Sequence, residues 1–216
     1  KIYDVTDPLY GAVGDGVQNA SVGVQAAMNG VAVRGGRVFV PDGNFLLSST
    51  VQMPASALVL EGTGVGSRLY GAVSPLLAYP VMTPGVNGPF QHIRSLTIET
   101  TGDNVGVQMH QVWFGEPFDH TTVENVFFLN ASSTTLTAKG LSIQGTNGVN
   151  VRGCDFKGRG AGGAPTTGLG GYGIYVDLES NFNTSVMGLN ITDNHFTTLG
   201  LPVFIEDRAV AIGGRV

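Results

Sequence analysis

The fold is decided by a short motif in the second half of the chain, first seen as IRSLTI at residues 93–98. It returns as VENVFF at 123–128, VRGCDF at 151–156 and ITDNHF at 191–196. The first and sixth positions are always apolar and the residues between are mostly polar, as expected of strands with one buried face. The spacing of 30, 28 and 40 residues indicates a repeated unit with connections of variable length.

A second motif alternates with the first along the chain. The runs GVQMH, GLSIQ, GIYVD and PVFIE begin at residues 106, 140, 173 and 202, and each has two apolar residues separated by one. Each unit therefore contains at least two short strands, and a Gly-rich insertion at 157–173 lengthens one connection. The pattern predicts an all-β protein and favours a right-handed parallel β-helix, a solenoid, over a propeller or a β-sandwich.

The N-terminal part of the chain differs from these repeats. Residues 1–35 are expected to form a cap segment, and residues 36–216 to form β-helix coils. Asn19 or Ser21 can cap a short helix that runs to about Asn29. The chain ends without a polar segment that would cover the last coil, so we expect it to be the front part of a longer protein.

Composition excludes several classes of function. Sixteen acidic against eleven basic residues give a net charge of −5, which argues against a nucleic-acid partner. No apolar run approaches the roughly 18 residues that span a membrane, so we expect no membrane insertion. The four histidines lack the spacing of metal ligands, and we expect neither a metal nor a cofactor. The single cysteine, Cys154, falls at an apolar position of the first motif and is interpreted as a core residue.

The N-terminal third carries a family resemblance. The stretch YGAVGDGVQNASVGVQAAMN at 10–29, followed by GGRVFVPDGNFLLSSTVQMPASALVLEGTGVGSRL at 35–69, resembles the entry segment of the pectate-lyase-like superfamily. The segment is shared by bacteriophage tailspike depolymerases, rhamnogalacturonase-like hydrolases and fungal exo-glucanases. This chain departs from it at residues 18–21, where QNAS stands in place of the usual Thr-Asp run.

The resemblance implies a β-helix fold and a broad class of partner. Members mostly cleave or bind polysaccharides outside cells, and the tailspikes are trimers. It therefore implies a polysaccharide ligand, a homotrimer with other virion proteins as further partners, and a place in a virion or outside the cell. It does not fix an active site, because catalytic positions differ between branches of a fold.

The loop Gly14-Asp15-Gly16 is interpreted as scaffolding, with Asp15 accepting hydrogen bonds from nearby amides.

Candidate catalytic residues come from stacking the second motif on itself. His110, Gln144, Asp177 and Glu206 then form one column at the strand ends. Carboxyl groups on neighbouring strands can lie about 5–9 Å apart, which spans both glycosidase geometries. The catalytic candidates are Asp177, Glu179, Glu206 and Asp207. The alternative is that these acids are solvated turn residues with Arg208 as an ion-pair partner.

Candidate substrate-binding residues are Trp113, His110, Tyr175 and Arg208. Trp113 lies in the aromatic run at 110–120, which is open to three interpretations: a sugar platform, a trimer interface, or a loop packed on its own core. The sequence predicts a phage tailspike-like protein that binds and hydrolyses a bacterial surface polysaccharide, with hydrolase favoured over lyase. A non-catalytic virion spike and a free secreted glycosidase are the alternatives.

Overall fold

The computed structural model describes residues 1–54, 56–79, 90–101, 104–110, 121–130, 138–144, 148–158, 171–178, 188–197 and 201–207. These residues form a right-handed parallel β-helix with three sheets, which confirms the predicted fold. The first sheet has the order β1 (Ile2–Asp4), β3 (Gly36–Val40), β6 (Leu58–Gly62), β9 (Gln91–Arg94), β12 (Thr122–Glu124), β15 (Asn150–Arg152) and β18 (Asn190–Thr192).

The other two sheets follow the same pattern, and every strand pair is parallel. The second sheet has the order β2 (Asp15–Asn19), β4 (Gly43–Leu46), β7 (Ser67–Gly71), β10 (Thr97–Thr100), β13 (Phe127–Asn130), β16 (Asp155–Gly158) and β19 (His195–Thr197). The third sheet has the order β5 (Val51–Gln52), β8 (Leu77–Ala78), β11 (Val105–His110), β14 (Lys139–Gln144), β17 (Tyr172–Leu178) and β20 (Leu201–Asp207). Each coil thus contributes one strand to each sheet, and in the first coil helix α1 (Ser21–Arg34) stands in place of the third strand.

The register of the sheets follows the repeats read from the sequence. Position one of the first motif forms a column of direct partners in the first sheet, from Ile93 through Val123 and Val151 to Ile191. Position six forms a column in the second sheet, from Ile98 through the phenylalanines. The Phe128 and Phe156 rings stack with centroids 4.7 Å apart. These columns form the core of the solenoid.

Each first motif spans two strands joined by a tight turn, so a coil holds three strands, in agreement with the prediction of at least two. The third position has a positive φ in every copy: 55° at Ser95, 52° at Asn125, 61° at Gly153 and 55° at Asp193. Such residues turn the chain from the first sheet into the second. Positions one, four and six point inward, so their spacing changes from three residues to two at the corner.

Helix α1 begins and ends differently from the prediction. Its N-cap is Ala20, with no side-chain cap hydrogen bond, although Asn19 Oδ1 accepts a hydrogen bond from the Ser21 amide at 3.0 Å. The helix runs past Asn29 to Arg34. Gly23 is needed inside it, because a Cβ there would lie 2.6 Å from the Ala12 nitrogen. The helix therefore packs directly on the backbone that precedes it.

The helix covers the exposed edge of the third sheet. Gln25 Oε1 accepts a hydrogen bond from the Gln52 amide at 2.7 Å, and Gln25 Nε2 donates to the Gln52 carbonyl at 3.1 Å. One side-chain amide thus replaces the backbone of a missing strand beside β5. The same face of the helix buries Val24, Ala27, Met28 and Val31 against the core. Open strand edges invite pairing with other chains, and this arrangement removes one.

The Gly14-Asp15-Gly16 loop serves the scaffold, as interpreted from the sequence. Asp15 Oδ1 accepts hydrogen bonds from the Gln18 and Val17 amides, both at 2.8 Å, and these bonds lower the pKa of the carboxyl. A Cβ on Gly14 would lie 2.9 Å from the ring of buried Phe45.

Across the described residues, no helix is long and apolar enough to cross a membrane.

Candidate functional site

The third sheet brings together the column predicted at the strand ends. His110 is the register partner of Gln144, Gln144 of Asp177, and Asp177 of Glu206. Asp207 follows as the partner of Leu178. Neighbouring strands lie about 4.8 Å apart, so Asp177 and Glu206 occupy adjacent rungs. The backbone therefore places two candidate acids next to each other on strands β17 and β20.

Three aromatic side chains cluster on the same two strands. The ring centroids of Tyr172 and Tyr175 are 5.2 Å apart, and Phe204 lies 5.1 Å from Tyr172 and 5.7 Å from Tyr175. Lys139 Nζ sits 3.3 Å from the centroid of the Tyr175 ring, in cation–π geometry. The cluster combines apolar ring faces with a cation and phenol hydroxyls.

A polar row leads up to this cluster across the outer face of the third sheet. Gln108, Ser142, Tyr175 and Phe204 are successive register partners on β11, β14, β17 and β20. The residues that alternate with them fill the interior: Val107, Met109, Leu141, Ile143, Ile174 and Val176. The row continues across four coils, but Ser142 and Tyr175 are buried, so Gln108 and Phe204 at its two ends are its more accessible members.

Stacked glycines set where the third sheet begins. Gly106, Gly140 and Gly173 are in register, and a Cβ on Gly106 would lie 2.7 Å from the Gly140 carbonyl oxygen. A Cβ on Gly140 would lie 2.8 Å from the Gly173 carbonyl oxygen. The backbones approach too closely at this corner for any side chain. This close approach explains the glycine that recurs at the start of the second motif.

Cys154 is a core residue, as interpreted from the sequence. It is 1% exposed, and burial raises the pKa of its thiol to about 11. A thiol with so high a pKa is almost entirely protonated at neutral pH and is a poor nucleophile.

Among the described residues, no group of three or more potential metal ligands is close enough to hold an ion.

Ion pairs cross the first sheet from strand to strand. Glu61 pairs with Arg37 at 2.6 Å and with Arg94 at 2.5 Å. Glu124 pairs with Arg152 at 2.9 Å and accepts a hydrogen bond from His92 Nε2 at 3.1 Å. Acidic and basic residues face each other across adjacent rungs, so the charges of this ladder are largely compensated within the sheet.

Comparison with known proteins identifies the family. A family model described as rhamnogalacturonase A/epimerase, pectate lyase-like, matches residues 3–204. The chain belongs to this family. Comparison with curated proteins gave no match.

Solved structures similar to this pectate-lyase-like chain include an epimerase module and two phage proteins. The A-module of the mannuronan C-5 epimerase AlgE6 of Azotobacter vinelandii is 17% identical over 90% of this chain and 68% of that one, with a TM-score of 0.42. Pre-mature gene product 12 of bacteriophage phi29 is 15% identical over 89% of this chain and 34% of that one, at 0.41. ORF18 of Geobacillus virus E2 is 14% identical over 90% and 60%, at 0.38.

The structure of this pectate-lyase-like chain describes some of the predicted site residues in full, some only in their backbone, and some not at all. Tyr175 is described in full and is buried within the aromatic cluster. The backbones of His110, Asp177, Glu206 and Asp207 are described, but their side chains lie outside the described part. Three further predicted residues lie wholly outside the described residues: Trp113, Glu179 and Arg208.

Three residues of the cluster were missed by sequence reasoning. Phe204 is the register partner of Tyr175, so the alignment of GIYVD with PVFIE already contained this signal. Tyr172 and Lys139 are also register partners and stand one residue before their motifs. Phe204 lies in the middle of its motif and the other two precede theirs, whereas the candidate acids stand at or beyond the motif ends.

Proposed function

We propose that this chain is part of a phage tailspike-like protein that binds a bacterial surface polysaccharide on the outer face of the third sheet and hydrolyses it there. The family match supports a carbohydrate-binding or carbohydrate-acting protein in general. The observation that carries the finer proposal is the aromatic cluster of Tyr172, Tyr175 and Phe204 beside the register pair Asp177 and Glu206.

Binding would use the aromatic cluster and the polar row together. Aromatic rings pack on the apolar C–H faces of sugar rings, whereas amide and hydroxyl groups take up the sugar hydroxyls. Gln108 and Ser142 precede Tyr175 in the row, one coil apart each. A glycan chain running across the strands would meet the half-buried Gln108 first and the aromatic cluster last, whereas Ser142 between them is buried.

Hydrolysis would use the two acids at the end of the row. Asp177 stands two residues beyond Tyr175 on β17, and Glu206 stands two residues beyond Phe204 on β20, so both acids follow the row along their strands. Two close carboxyl groups raise the pKa of one of them, which then protonates the glycosidic oxygen. The other acts as nucleophile, or as base for the water that completes cleavage. Glu179 and Asp207 remain further candidates for either role.

The tailspike part of the proposal rests on the resemblance of residues 10–69 to the entry segment of such proteins. It carries with it a homotrimer, contacts to other virion proteins, and a place in the virion or outside the cell. Light scattering on the purified protein tests the assembly. A trimer supports the spike proposal, and a monomer favours a free glycosidase instead.

The catalytic proposal is tested by release of reducing ends from purified capsular or O-antigen polysaccharide. We expect Asp177→Asn and Glu206→Gln each to lower the rate by about 100-fold or more, the scale of losing a general acid or base. Asp155→Asn is the matched control, because Asp155 is an exposed acid on the second sheet, bonded to His195 at 2.9 Å. It should retain full activity.

Two outcomes would contradict the catalytic proposal. Full activity in both acid variants would mean that catalysis, if present, uses other residues. Polysaccharide binding without any release of reducing ends by the unmodified protein would indicate a non-catalytic adhesive spike. In that case Tyr172→Ala and Phe204→Ala should still weaken binding, because the aromatic cluster does not depend on the acids.

A further inference from the structure

A cavity of about 300 Å³ opens on the first sheet, which does not carry the proposed catalytic site. Its lining includes Val59, His92 and Thr122, which are register partners on strands β6, β9 and β12. Ala57 and Phe90 complete an apolar wall, and Phe90 is 66% exposed. A volume of this order is within the range of small-ligand pockets.

His92 lines this cavity and carries a hydrogen-bond acceptor. Its Nε2 lies 3.1 Å from Glu124 Oε2, and a carboxylate can only accept, so Nε2 carries the proton and Nδ1 is the acceptor. Burial, with help from the nearby Arg94 charge, lowers the pKa of His92 and keeps the ring neutral at neutral pH. Within the described part of the chain, Nδ1 makes no hydrogen bond.

Thr122 offers a second polar group one rung away. Its hydroxyl makes no hydrogen bond within the described ranges and can donate or accept. The His92 and Thr122 positions are adjacent strand partners, about 4.8 Å apart. The pair is therefore spaced to meet two neighbouring hydroxyl groups of a single ring.

The cavity carries little net attraction for a charged ligand. The nearest charged residues are already paired: Glu61 with Arg37 and Arg94, and Glu124 with Arg152. An apolar protein side chain would fill the volume but would leave the His92 acceptor and the Thr122 hydroxyl without partners, which is unfavourable. A neutral, hydroxyl-rich ligand with one apolar face satisfies both parts of the lining.

We propose that this cavity binds one neutral sugar residue of a glycan, with its C–H face on the Phe90 ring and adjacent hydroxyls on His92 Nδ1 and Thr122 Oγ1. The choice of carbohydrate rests on the proposed function, but the site is separate from the acids on the third sheet. It holds the polysaccharide without taking part in its cleavage. The first and third sheets thus carry different binding tasks.

The test uses the whole chain and follows the His92 ring signals by NMR while D-glucose, D-galactose or N-acetyl-D-glucosamine is added. We expect saturable shifts in the unmodified protein, with binding weakened about tenfold by Thr122→Val and by Phe90→Ala. Thr197→Val, a change on the second sheet, is the control and should bind normally. Absence of shifts with all three sugars, or normal binding in both cavity variants, overturns the proposal.

Two further measurements separate this proposal from the catalytic one. The unmodified protein should both release reducing ends and show the His92 shifts, and Asp177→Asn should keep only the shifts. Loss of one behaviour without the other identifies which proposal has failed. If Phe90→Ala alters the assembly state by light scattering and leaves sugar binding unchanged, the cavity is a protein contact and the sugar proposal is overturned.

Discussion

Asp15 shows how a residue that resembles a site can serve the fold. Its carboxylate accepts two backbone amides and the side-chain amide of Gln18, and these bonds lower its pKa from the ordinary value of 3.8. A carboxyl with a lowered pKa in the folded state stabilises the protein above its unfolded pKa. That stabilisation is lost as the pH falls through the lower, folded value.

Asp15→Ala should therefore lower the thermal midpoint by a few degrees at pH 7 and by little at pH 2. Asp15→Asn keeps an oxygen that can accept hydrogen bonds from the amides of Val17 and Gln18. Its thermal midpoint at pH 7 should therefore lie between those of the unmodified protein and Asp15→Ala. Thermal unfolding of the three proteins at both pH values makes the comparison. An equal deficit of Asp15→Ala at pH 7 and pH 2 would show that ionisation of this carboxyl is unimportant.

At the scale of elements, the first coil depends on one glutamine. Gln25 makes both hydrogen bonds to Gln52 on the edge strand β5. Gln25→Ala should cost about 1–2 kcal/mol, from two hydrogen bonds of about 1 kcal/mol each. The Gln52 amide should also exchange its hydrogen faster, as measured by hydrogen exchange with NMR detection.

The control for this element is Val33→Ala on the same helix. Val33 is 82% exposed, so its replacement should change the free energy of unfolding by less than about 0.5 kcal/mol. Unchanged exchange at the Gln52 amide in Gln25→Ala would mean that the helix backbone alone protects the edge.

The sequence could not reveal every element, for physical reasons. The corner residues Ser95, Asn125 and Asp193 are polar, and the apolar residues on either side of each corner are three apart rather than two. This break in the period of two marks a corner, but the spacing alone does not show that one residue with a positive φ makes the turn. The helix ends beyond Asn29 because packing on the first coil outweighs the unfavourable Gly30.

At the scale of the whole molecule, the repeat made the register predictable. Parallel coils stack like residues on like, so aligned motifs give strand partners directly, including Asp177 with Glu206 and Phe128 with Phe156. The cavity on the first sheet could not be found in this way. It is formed by Phe90 and Ala57, which lie outside both motifs, and its volume depends on three-dimensional packing.

The solenoid fold also predicts that a destabilising substitution acts mainly on its own coil and the adjacent ones, because each coil contacts only its neighbours. Cys154 is buried in the sixth coil and reports on local opening through its reaction with iodoacetamide. Phe156 lies in the same coil as Cys154, and its ring stacks on Phe128 and Phe196 in the two adjacent coils. Phe156→Ala removes this ring, at a cost of about 3–5 kcal/mol in the free energy of unfolding. It should speed labelling of Cys154 by at least about tenfold.

Gln25→Ala acts five coils away, at the first coil, and should leave the labelling rate of Cys154 nearly unchanged. The helix would loosen while the sixth coil stays closed, since Gln25 bonds to the second coil and each coil contacts only its neighbours. Labelling followed by mass spectrometry under native conditions compares the three proteins. Equal acceleration in Gln25→Ala and Phe156→Ala would show instead that the coils open together as one cooperative unit, and that the nearest-neighbour description does not apply to this β-helix.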